Sequence, residues 1–289
     1  MAGLALHAQH ERSFAANRFV YPVLSRRSGG LSIGVNLNPD KICNFDCIYC
    51  QVDRTTPGDT EFVELPRLLD ELDLMLRLAA SGEIFQLPKF VTTPEALRRV
   101  NDVAFSGDGE PTTHRNFDEV IAACAEVKRR HGLDAVKFVL ISNASMFHRP
   151  HVRRGLELLD ANQGEIWAKL DAGTEAYYKL VDRTPIPFQQ ILDNIADAAR
   201  VRSVVIQSLF MKVGGESPPE SEIAAYCERL REIVSSGGRI SLVQVYTIAR
   251  RPAESFVSPL ADSEVDAIVE RVIATTGLSA RAFYGVSTT

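Results

Sequence analysis

Segments with the character of β-strands alternate with amphipathic segments along most of this 289-residue chain. The strand candidates are short apolar, β-branched runs at 31–37, 101–106, 135–142, 165–171, 203–210, 239–247 and 279–284. The helix candidates lie between them, at about 64–81, 116–131, 149–160, 188–200, 218–235 and 262–275. Because a helix between two strands forms a parallel crossover unit, this alternation predicts an α/β fold built on a parallel sheet.

The number of strand–helix units indicates a partial TIM barrel of the (βα)6 type, with an open doubly wound sheet as the alternative. In a barrel the reactive groups lie at the carboxyl ends of the strands. No Gly/Ser-rich linker divides the chain, so we expect one domain over residues 1–289. Within it we expect an N-terminal extension at 1–30 and a core barrel at about 31–285.

Two of the five cysteines fall within helix candidates and read as structural residues. Cys124 and Cys227 lie on the apolar faces of the helices predicted at 116–131 and 218–235, where free cysteine behaves as a small buried hydrophobe. Ser217 precedes two prolines and is a residue type that caps helix starts, so it is the expected N-cap of the second of these helices.

Composition and charge favour a globular cytoplasmic protein. The chain is 45% hydrophobic with a net charge of −5, and this acidic balance argues mildly against nucleic-acid binding. No apolar run approaches the ~18 residues of a membrane span, and the N-terminus does not have the pattern of a secretory signal. We therefore expect a cytoplasmic location without membrane contact, in which thiols stay reduced.

The other three cysteines, Cys43, Cys47 and Cys50, are crowded into eight residues of a loop that follows the first strand candidate. An odd number in a reducing compartment disfavours disulfides. Structural zinc commonly requires four ligands, and a thioredoxin-like pair of Cys47 and Cys50 leaves Cys43 unexplained. An iron–sulfur cluster held by three thiolates keeps one iron open for another ligand. Zinc and redox-sensing alternatives remain open on spacing alone.

The pattern Cys43-x-x-x-Cys47-x-x-Cys50, with Tyr49 before the last cysteine, resembles the signature loop of the radical S-adenosylmethionine (SAM) superfamily. The resemblance implies a [4Fe–4S] cluster on the three cysteines, with SAM bound to the fourth iron. It also implies reductive cleavage of SAM to a 5′-deoxyadenosyl radical that abstracts hydrogen from a substrate. Tyr49 would pack near the adenine.

A second motif follows the strand predicted at 101–106. Gly107, Asp108, Gly109 and Glu110, followed by proline, are similar to the GGEP motif that surrounds the methionine amino group of SAM in this superfamily. Glycines allow the backbone to approach a ligand closely. Asp108 stands in the place of the first glycine, which leaves open whether it contacts the amino group or only shapes the turn.

Polar residues end further strand candidates, as expected of a barrel active site. Asn143 and Asp171 end two strand candidates and Gln207 lies on the next one, so these three are candidate contacts of SAM or substrate. Lys169 lies in the apolar run I-W-A-K-L, and if it points inward, burial would lower its pKa and make it nucleophilic or substrate-binding. We take Lys169 as the candidate catalytic residue.

The wider motif string, including FSGDGEPT, WAKLDAG, LVDRT and VQVYTIARRP, resembles the wyosine-base-synthase-related group of radical SAM Fe–S oxidoreductases over roughly residues 20 to 285. This resemblance makes an RNA base the first expected substrate. The alternatives are a partner protein activated by glycyl-radical formation, and an Fe–S or zinc redox-sensing module without catalysis. The enzyme hypotheses require an external one-electron donor of the flavodoxin or ferredoxin type.

Overall fold

A computed structural model describes residues 14–58 and 62–285, and these residues form two compact units, each assembled from separate stretches of chain. The first unit is made of the described residues within Met1–Cys43, Thr56–Ile141 and Arg149–Glu165. The second is made of Asn44–Thr55, Ser142–His148 and the described residues from Ile166 onward.

The first unit packs helices against neighbouring strands. Its strands are β1 (Val20–Ser25), β2 (Gly30–Val35), β3 (Val100–Phe105) and β4 (Lys137–Ser142), of which the last residue belongs to the second unit. Its helices are α1 (Leu65–Ala80), α2 (Phe117–Arg130) and α3 (Pro150–Asp160). Strand β1 is antiparallel to β2, whereas β2, β3 and β4 run parallel in that order. The buried faces of α1 and α2 carry leucine, isoleucine and valine at helical spacing.

The second unit repeats the alternation. Its strands are β5 (Gly164–Lys169, of which the first two residues belong to the first unit), β6 (Ser203–Leu209), β7 (Met211–Val213), β8 (Arg239–Tyr246), β9 (Val257–Pro259) and β10 (Ala280–Phe283). Its helices are α4 (Glu175–Asp182), α5 (Phe188–Val201), α6 (Glu220–Ser235) and α7 (Asp262–Thr276). Strands β5, β6, β8 and β10 are parallel neighbours, and β7 pairs antiparallel with β9.

The predicted α/β class with mostly parallel strands is confirmed. The predicted strands and helices are all present, with ends that shift by a few residues. None of the described helices combines the length and apolar character needed to cross a bilayer.

Three details differ from the sequence analysis. Strand β1 lies within the expected N-terminal extension at 1–30, of which residues 1–13 are outside the described part of the chain. Helix α4 has no counterpart among the predicted helices, since its eight residues are too few to show a clear period. The N-cap of α6 is Pro219, whereas the Ser217 hydroxyl donates to Glu264 at 2.5 Å.

Candidate functional site

The three clustered cysteines lie in an irregular loop. Cys43, Cys47 and Cys50 are half-buried and form no disulfide, and the backbone N–H of Cys50 donates to the carbonyl of Cys47 at 2.9 Å. Cys43 belongs to the first unit, and the other two belong to the second. Within residues 14–58 and 62–285 no three His, Cys, Asp or Glu side chains are gathered as a metal site. Cys124 and Cys227 are fully buried in α2 and α6, as predicted.

The cysteine loop pairs with the end of α4 through backbone hydrogen bonds in the second unit. The N–H of Asp46 donates to the carbonyl of Asp182 at 3.1 Å, and the N–H of Ile48 donates to the carbonyl of Val181 at 2.9 Å. We call residues 181–184 the docking segment. Its carbonyl groups are available because the last carbonyls of a helix have no partner within it.

Side chains of the docking segment add to this pairing. The Thr184 hydroxyl donates to the carbonyl of Asn44 at 2.9 Å. Arg183 adopts a left-handed conformation with φ 44° at the end of α4 and forms ion pairs with Asp46 and Glu254. The N–H of Glu254 in turn donates to the carbonyl of Ile48 at 3.2 Å. The loop is therefore held from two sides by residues distant in sequence.

The two cysteines of the second unit have different electrostatic surroundings. The Cys47 thiol donates to a carboxylate oxygen of Asp182 at 3.4 Å. Burial and the Asp182 carboxylate both raise the pKa of the Cys47 thiol, and burial likewise raises the pKa of Asp182. The Arg54 guanidinium instead donates to the Cys50 sulfur at 3.7 Å.

Tyr49, Lys169 and Asp171 are brought together in the second unit. Asp171 is buried, and one of its oxygens accepts hydrogen bonds from the Tyr49 hydroxyl and from Lys169, whose ammonium lies 2.9 Å away. Its other oxygen accepts the N–H of Leu209 at 2.7 Å. Lys169 also donates to the Tyr246 hydroxyl at 3.0 Å and lies 4.9 Å from the centre of the Tyr49 ring.

The expectation that burial makes Lys169 a low-pKa amine is wrong. Burial by itself lowers the pKa of Lys169, but the adjacent Asp171 carboxylate and the Tyr246 hydroxyl raise it above its ordinary value. The side chain keeps 18% exposure and carries a positive charge at neutral pH. Lys169 is thus a fixed cation in this structure.

Asn143 and Gln207 have separate partners in the second unit. The Asn143 amide donates to the Asn44 side chain at 2.8 Å, and the Asn44 amide donates to the Ser145 hydroxyl, also at 2.8 Å. This network connects the end of β4 to the cysteine loop. Gln207 is buried on β6 and donates to Gln244 on β8 at 3.1 Å.

The turn after β3 packs closely on residues 36–42 of the first unit. A Cβ atom on Gly107 would lie 2.1 Å from the Asn36 side-chain oxygen, and one on Gly109 would lie 2.1 Å from the Ile42 carbonyl oxygen. The glycines are therefore required by close backbone approach, and neither has a positive φ. The residues against which they pack lead directly into Cys43.

The two acidic residues of this turn have defined contacts. The Asp108 carboxylate accepts from the Asn36 amide at 2.7 Å, and the Asp108 N–H donates back to Asn36 at 3.1 Å. Glu110 is buried and accepts the N–H of Thr112 at 3.0 Å, which caps the 3₁₀ turn at Pro111–Thr113. Asp108 thus shapes the turn, which is one of the two roles that the sequence analysis left open for it.

Sequence reasoning missed the partners of the predicted residues. They are Asn36, Asn44, Asp182 and Tyr246. Each lies in a segment described in the sequence analysis. Asn36 is in the first strand candidate and Asn44 is in the cysteine loop. Asp182 and Tyr246 lie in LVDRT and VQVYTIARRP. LVDRT ends in three polar residues, Asp182, Arg183 and Thr184, and this pattern was the sequence signal from which the docking segment could have been predicted.

Comparison with protein families gives one decisive match. The family model described as "Radical SAM superfamily" matches residues 37–227, which is more than half of the chain. A protein named GTPase Obg from Brachyspira hyodysenteriae is 24% identical over 251 residues, covering 85% of this chain and 32% of that protein. A UPF0026 protein of Helicobacter pylori is 28% identical over 179 residues, covering 61% of this chain and 48% of that protein. The chain thus spans less than two thirds of the length of these relatives.

Solved structures show a related fold. The structure of anSMEcpe with bound AdoMet matches with a TM-score of 0.51 and 12% identity, covering 86% of this chain and 64% of that one. A structure of TYW1 with a lysine–pyruvate adduct has a TM-score of 0.47 and 15% identity, covering 86% of this chain and 74% of that one. At these identities the likeness to anSMEcpe concerns the fold alone.

Proposed function

The chain belongs to the radical SAM superfamily, and from this membership we propose that it is an enzyme that cleaves SAM reductively. The observation that carries the proposal is the cysteine trio inside the matched region. When bound, a reduced [4Fe–4S] cluster supplies the electron that splits SAM into methionine and a 5′-deoxyadenosyl radical. The structure of anSMEcpe, which is similar in fold, has AdoMet bound, and this supports SAM as the ligand.

The cysteine loop fits such a cluster by its donors. Cys43, Cys47 and Cys50 are three half-buried cysteines outside any disulfide on one irregular loop, and thiolates are the usual ligands of iron–sulfur clusters. We propose that they are the ligand set. Because the thiols must lose their protons to bind iron, loading of the cluster would release protons.

We further propose that the turn from Gly107 to Glu110 receives the methionine end of SAM. Its tight backbone and acidic side chains support this role. Tyr49, Asn143, Asp171 and Gln207 are proposed as contacts of SAM or substrate. For Tyr49 the contact would come from its backbone, since its hydroxyl is occupied by Asp171.

Lys169 is proposed to act on the substrate as a fixed cation. Its ammonium is held by Asp171 and Tyr246, and its raised pKa keeps it protonated at neutral pH. It therefore suits binding and orientation of a negatively polarised substrate group. A nucleophilic role would require removal of the Asp171 charge.

The substrate, the partner proteins and the cellular location are also proposals. An RNA base is the first proposed substrate, and a partner protein converted to a glycyl radical is the second. A flavodoxin- or ferredoxin-type protein would supply electrons, and we propose a cytoplasmic location in keeping with reduced thiols. We also propose that residues 1–289 act as one radical SAM domain.

The assignment is tested with Cys47→Ala and a matched control, Cys124→Ala, which changes a buried cysteine outside the loop. After anaerobic reconstitution and reduction with dithionite, the wild type and Cys124→Ala should bind iron and form 5′-deoxyadenosine. Cys47→Ala should lose both. Formation of 5′-deoxyadenosine by Cys47→Ala at the wild-type rate would refute the cluster assignment.

The substrate class is tested separately. Mass spectrometry of tRNA nucleosides from a strain that lacks the gene should show a missing or truncated modified base. An unchanged nucleoside profile, together with loss of a glycyl-radical signal in a partner protein, would favour the second substrate.

A further inference from the structure

Ala144 lies in a strained turn directly after β4. It is fully buried and has a φ of 62°, in the left-handed region that costs free energy for a residue with a Cβ atom. The turn belongs to the segment Ser142–His148 of the second unit. A conformation of this kind persists only where its surroundings hold it, and such positions are concentrated at functional sites.

Two amide side chains of α5 hold this turn. Asn194 is buried, and its Nδ2 donates to the carbonyls of Ala144 at 2.8 Å and of Ser145 at 3.1 Å. Gln190 lies four positions earlier, on the same face of the helix, and its Nε2 donates to the Ser145 carbonyl at 3.2 Å. We call Gln190 and Asn194 the amide clamp.

The turn is connected to Asn44 of the cysteine loop through a closed ring of hydrogen bonds. The Ser145 N–H donates to Asn143 Oδ1 at 3.0 Å, so the Asn143 amide must direct its Nδ2 towards Asn44. Asn44 therefore presents Oδ1 to Asn143 and Nδ2 to the Ser145 hydroxyl, each at 2.8 Å. One backbone N–H of the turn thereby fixes the orientation of both amides.

Asn44 is held at two places. Its backbone carbonyl accepts a hydrogen bond from Thr184 of the docking segment, and its side chain belongs to the ring. If the amide clamp were removed, the turn at Ala144 could relax out of the left-handed region, and the ring would open. The segment that follows Cys43 would then be held at Asn44 by the docking segment alone.

We propose that Gln190 and Asn194 are positioning residues that keep the cysteine loop in the conformation that retains the cluster. They act through the turn at Ala144 and the ring at Asn44. The inference rests on the proposed function, since the cluster assigned there is what the loop would retain. It goes beyond that function because it makes helix α5, through two amides, part of the support of the cysteine loop.

The test uses matched changes on one helix. Gln190→Ala removes one member of the amide clamp. Gln189→Ala makes the same change at an exposed neighbour, which donates to Asp193 of α5 instead. Asn194→Leu removes both hydrogen bonds of Asn194 at nearly constant volume. Ala144→Gly removes the strain of the turn, because glycine adopts a positive φ readily.

Two measurements report on the cysteine loop. Hydrogen exchange of the Asp46 and Ile48 amides is followed in the metal-free proteins, with the Leu230 amide in the buried face of α6 as the reference for the whole fold. Iron release to a ferrous chelator is followed in the anaerobically reconstituted proteins.

We expect the Asp46 and Ile48 amides to exchange about two- to threefold faster in Gln190→Ala and about tenfold faster in Asn194→Leu, in keeping with the loss of one and of two hydrogen bonds. Iron release should accelerate in the same order. Gln189→Ala should match the wild type in both measurements. If Asn194→Leu does not fold, the comparison of Gln190→Ala with Gln189→Ala decides alone.

Ala144→Gly provides a rescue that distinguishes positioning from filling of the core. In the double variant Asn194→Leu/Ala144→Gly the turn forms without the cost that the amide clamp offsets, so the loop amides should exchange about fivefold more slowly than in Asn194→Leu. Ala144→Gly alone should keep these rates within about threefold of the wild type. A side chain that only fills space would show no such rescue.

Wild-type exchange of the loop amides in Gln190→Ala and Asn194→Leu, beside a faster Leu230 amide, would overturn the inference. It would show that α5 stabilises the fold without positioning the loop. Failure of the rescue would overturn it as well, since Asn194 would then act on something other than the turn. A wild type that loads no iron would refute the proposed function, whereas exchange in the metal-free proteins would still decide whether the amide clamp holds the loop.

Discussion

At the scale of single residues, the chemistry of this protein depends on how buried charges are paired. Lys169 and Asp171 are two positions apart at the end of β5, and both could be selected from the sequence as strand-end polar residues. Their ion pair and the neighbouring Tyr246 hydroxyl reverse the expected pKa change of the lysine. The surroundings of the Lys169 side chain, more than the residue type, determine its charge.

The Lys169–Asp171 pair should show strong energetic coupling. Lys169→Met leaves the buried Asp171 carboxylate without its cation and should lower the free energy of unfolding by about 3 kcal/mol, near the lower end for a buried pair because Lys169 retains some exposure. The double variant Lys169→Met/Asp171→Asn should lose less than the sum of the single variants. Urea denaturation of the metal-free proteins measures this coupling. Additive losses would show that the two groups act independently.

Asp102 provides a pH-dependent prediction in the first unit. This carboxyl is buried on β3 and accepts a hydrogen bond from Ser32, and burial raises its pKa. A raised carboxyl pKa favours the protonated form in the folded state, so its stabilising contribution is present at low pH and is lost as the pH rises through the folded pKa. Asp102→Asn should therefore be more stable than the wild type at pH 7.

The advantage of Asp102→Asn should shrink as the pH falls towards about 4, where the unfolded carboxyl also takes up its proton. Thermal or urea unfolding at several pH values measures the difference. Asp197→Asn is the matched control, because Asp197 is an exposed partner of Arg200 and should change stability by less than about 0.5 kcal/mol at every pH. A pH-independent difference for Asp102→Asn would contradict the assignment.

At the scale of elements, the cysteine loop depends on α4. This short helix ends at Asp182, and its free carbonyls and the left-handed Arg183 form the docking segment for residues 44–48. Aromatic packing adds to the hydrogen bonds, since Phe45 of the loop meets the ring of Tyr178 edge-on at 6.0 Å. A loop without helix or strand structure is thereby given a defined backbone path.

Arg183→Ala should loosen the loop without removing any cysteine. Alanine retains the backbone constraint at this position but loses the ion pairs with Asp46 and Glu254, which are partly exposed and worth about 0.2–1 kcal/mol. Hydrogen exchange of the Asp46 and Ile48 amides should become about two- to fivefold faster in the metal-free protein. Arg231→Ala, which breaks an exposed pair on α6, should leave these amides unchanged. Equal exchange in the two variants would exclude a docking role for Arg183.

At the scale of the whole molecule, the family match and the parallel order of the strands both support a radical SAM fold. The match covers residues 37–227, which include the cysteine loop, the Gly107–Glu110 turn and the ends of β4, β5 and β6. Every residue proposed as a ligand, SAM contact or catalytic group lies within this range. Strands β8 and β10, which follow the matched range, continue the parallel order of the second unit.

Cluster loading should stabilise the whole protein, since a group that binds only the folded state shifts the unfolding equilibrium. Reconstituted wild type should melt on the order of 5–10 °C above the metal-free protein. Cys47→Ala treated in the same way should show no increase, although its metal-free form should melt close to metal-free wild type. An equal increase in wild type and variant would indicate iron binding away from the loop.

The sequence by itself determined the α/β class, the main strands and helices and the cysteine spacing, because periodicity and motif spacing are local properties. It also located Gly107 and Gly109, but the structure shows that close packing on Asn36 and Ile42 is what requires them. Helix α4 and strand β1 were missed, since short segments carry little periodic signal.

Only the tertiary structure decided the electrostatics and the hydrogen-bond partners. Lys169 meets Tyr246 across 77 positions, and the cysteine loop meets the docking segment across more than a hundred. Burial and charge act through space, so the direction of a pKa change cannot be inferred from neighbours in sequence. The cysteine spacing indicates the proposed cofactor, and the fold decides which groups surround the cysteine loop.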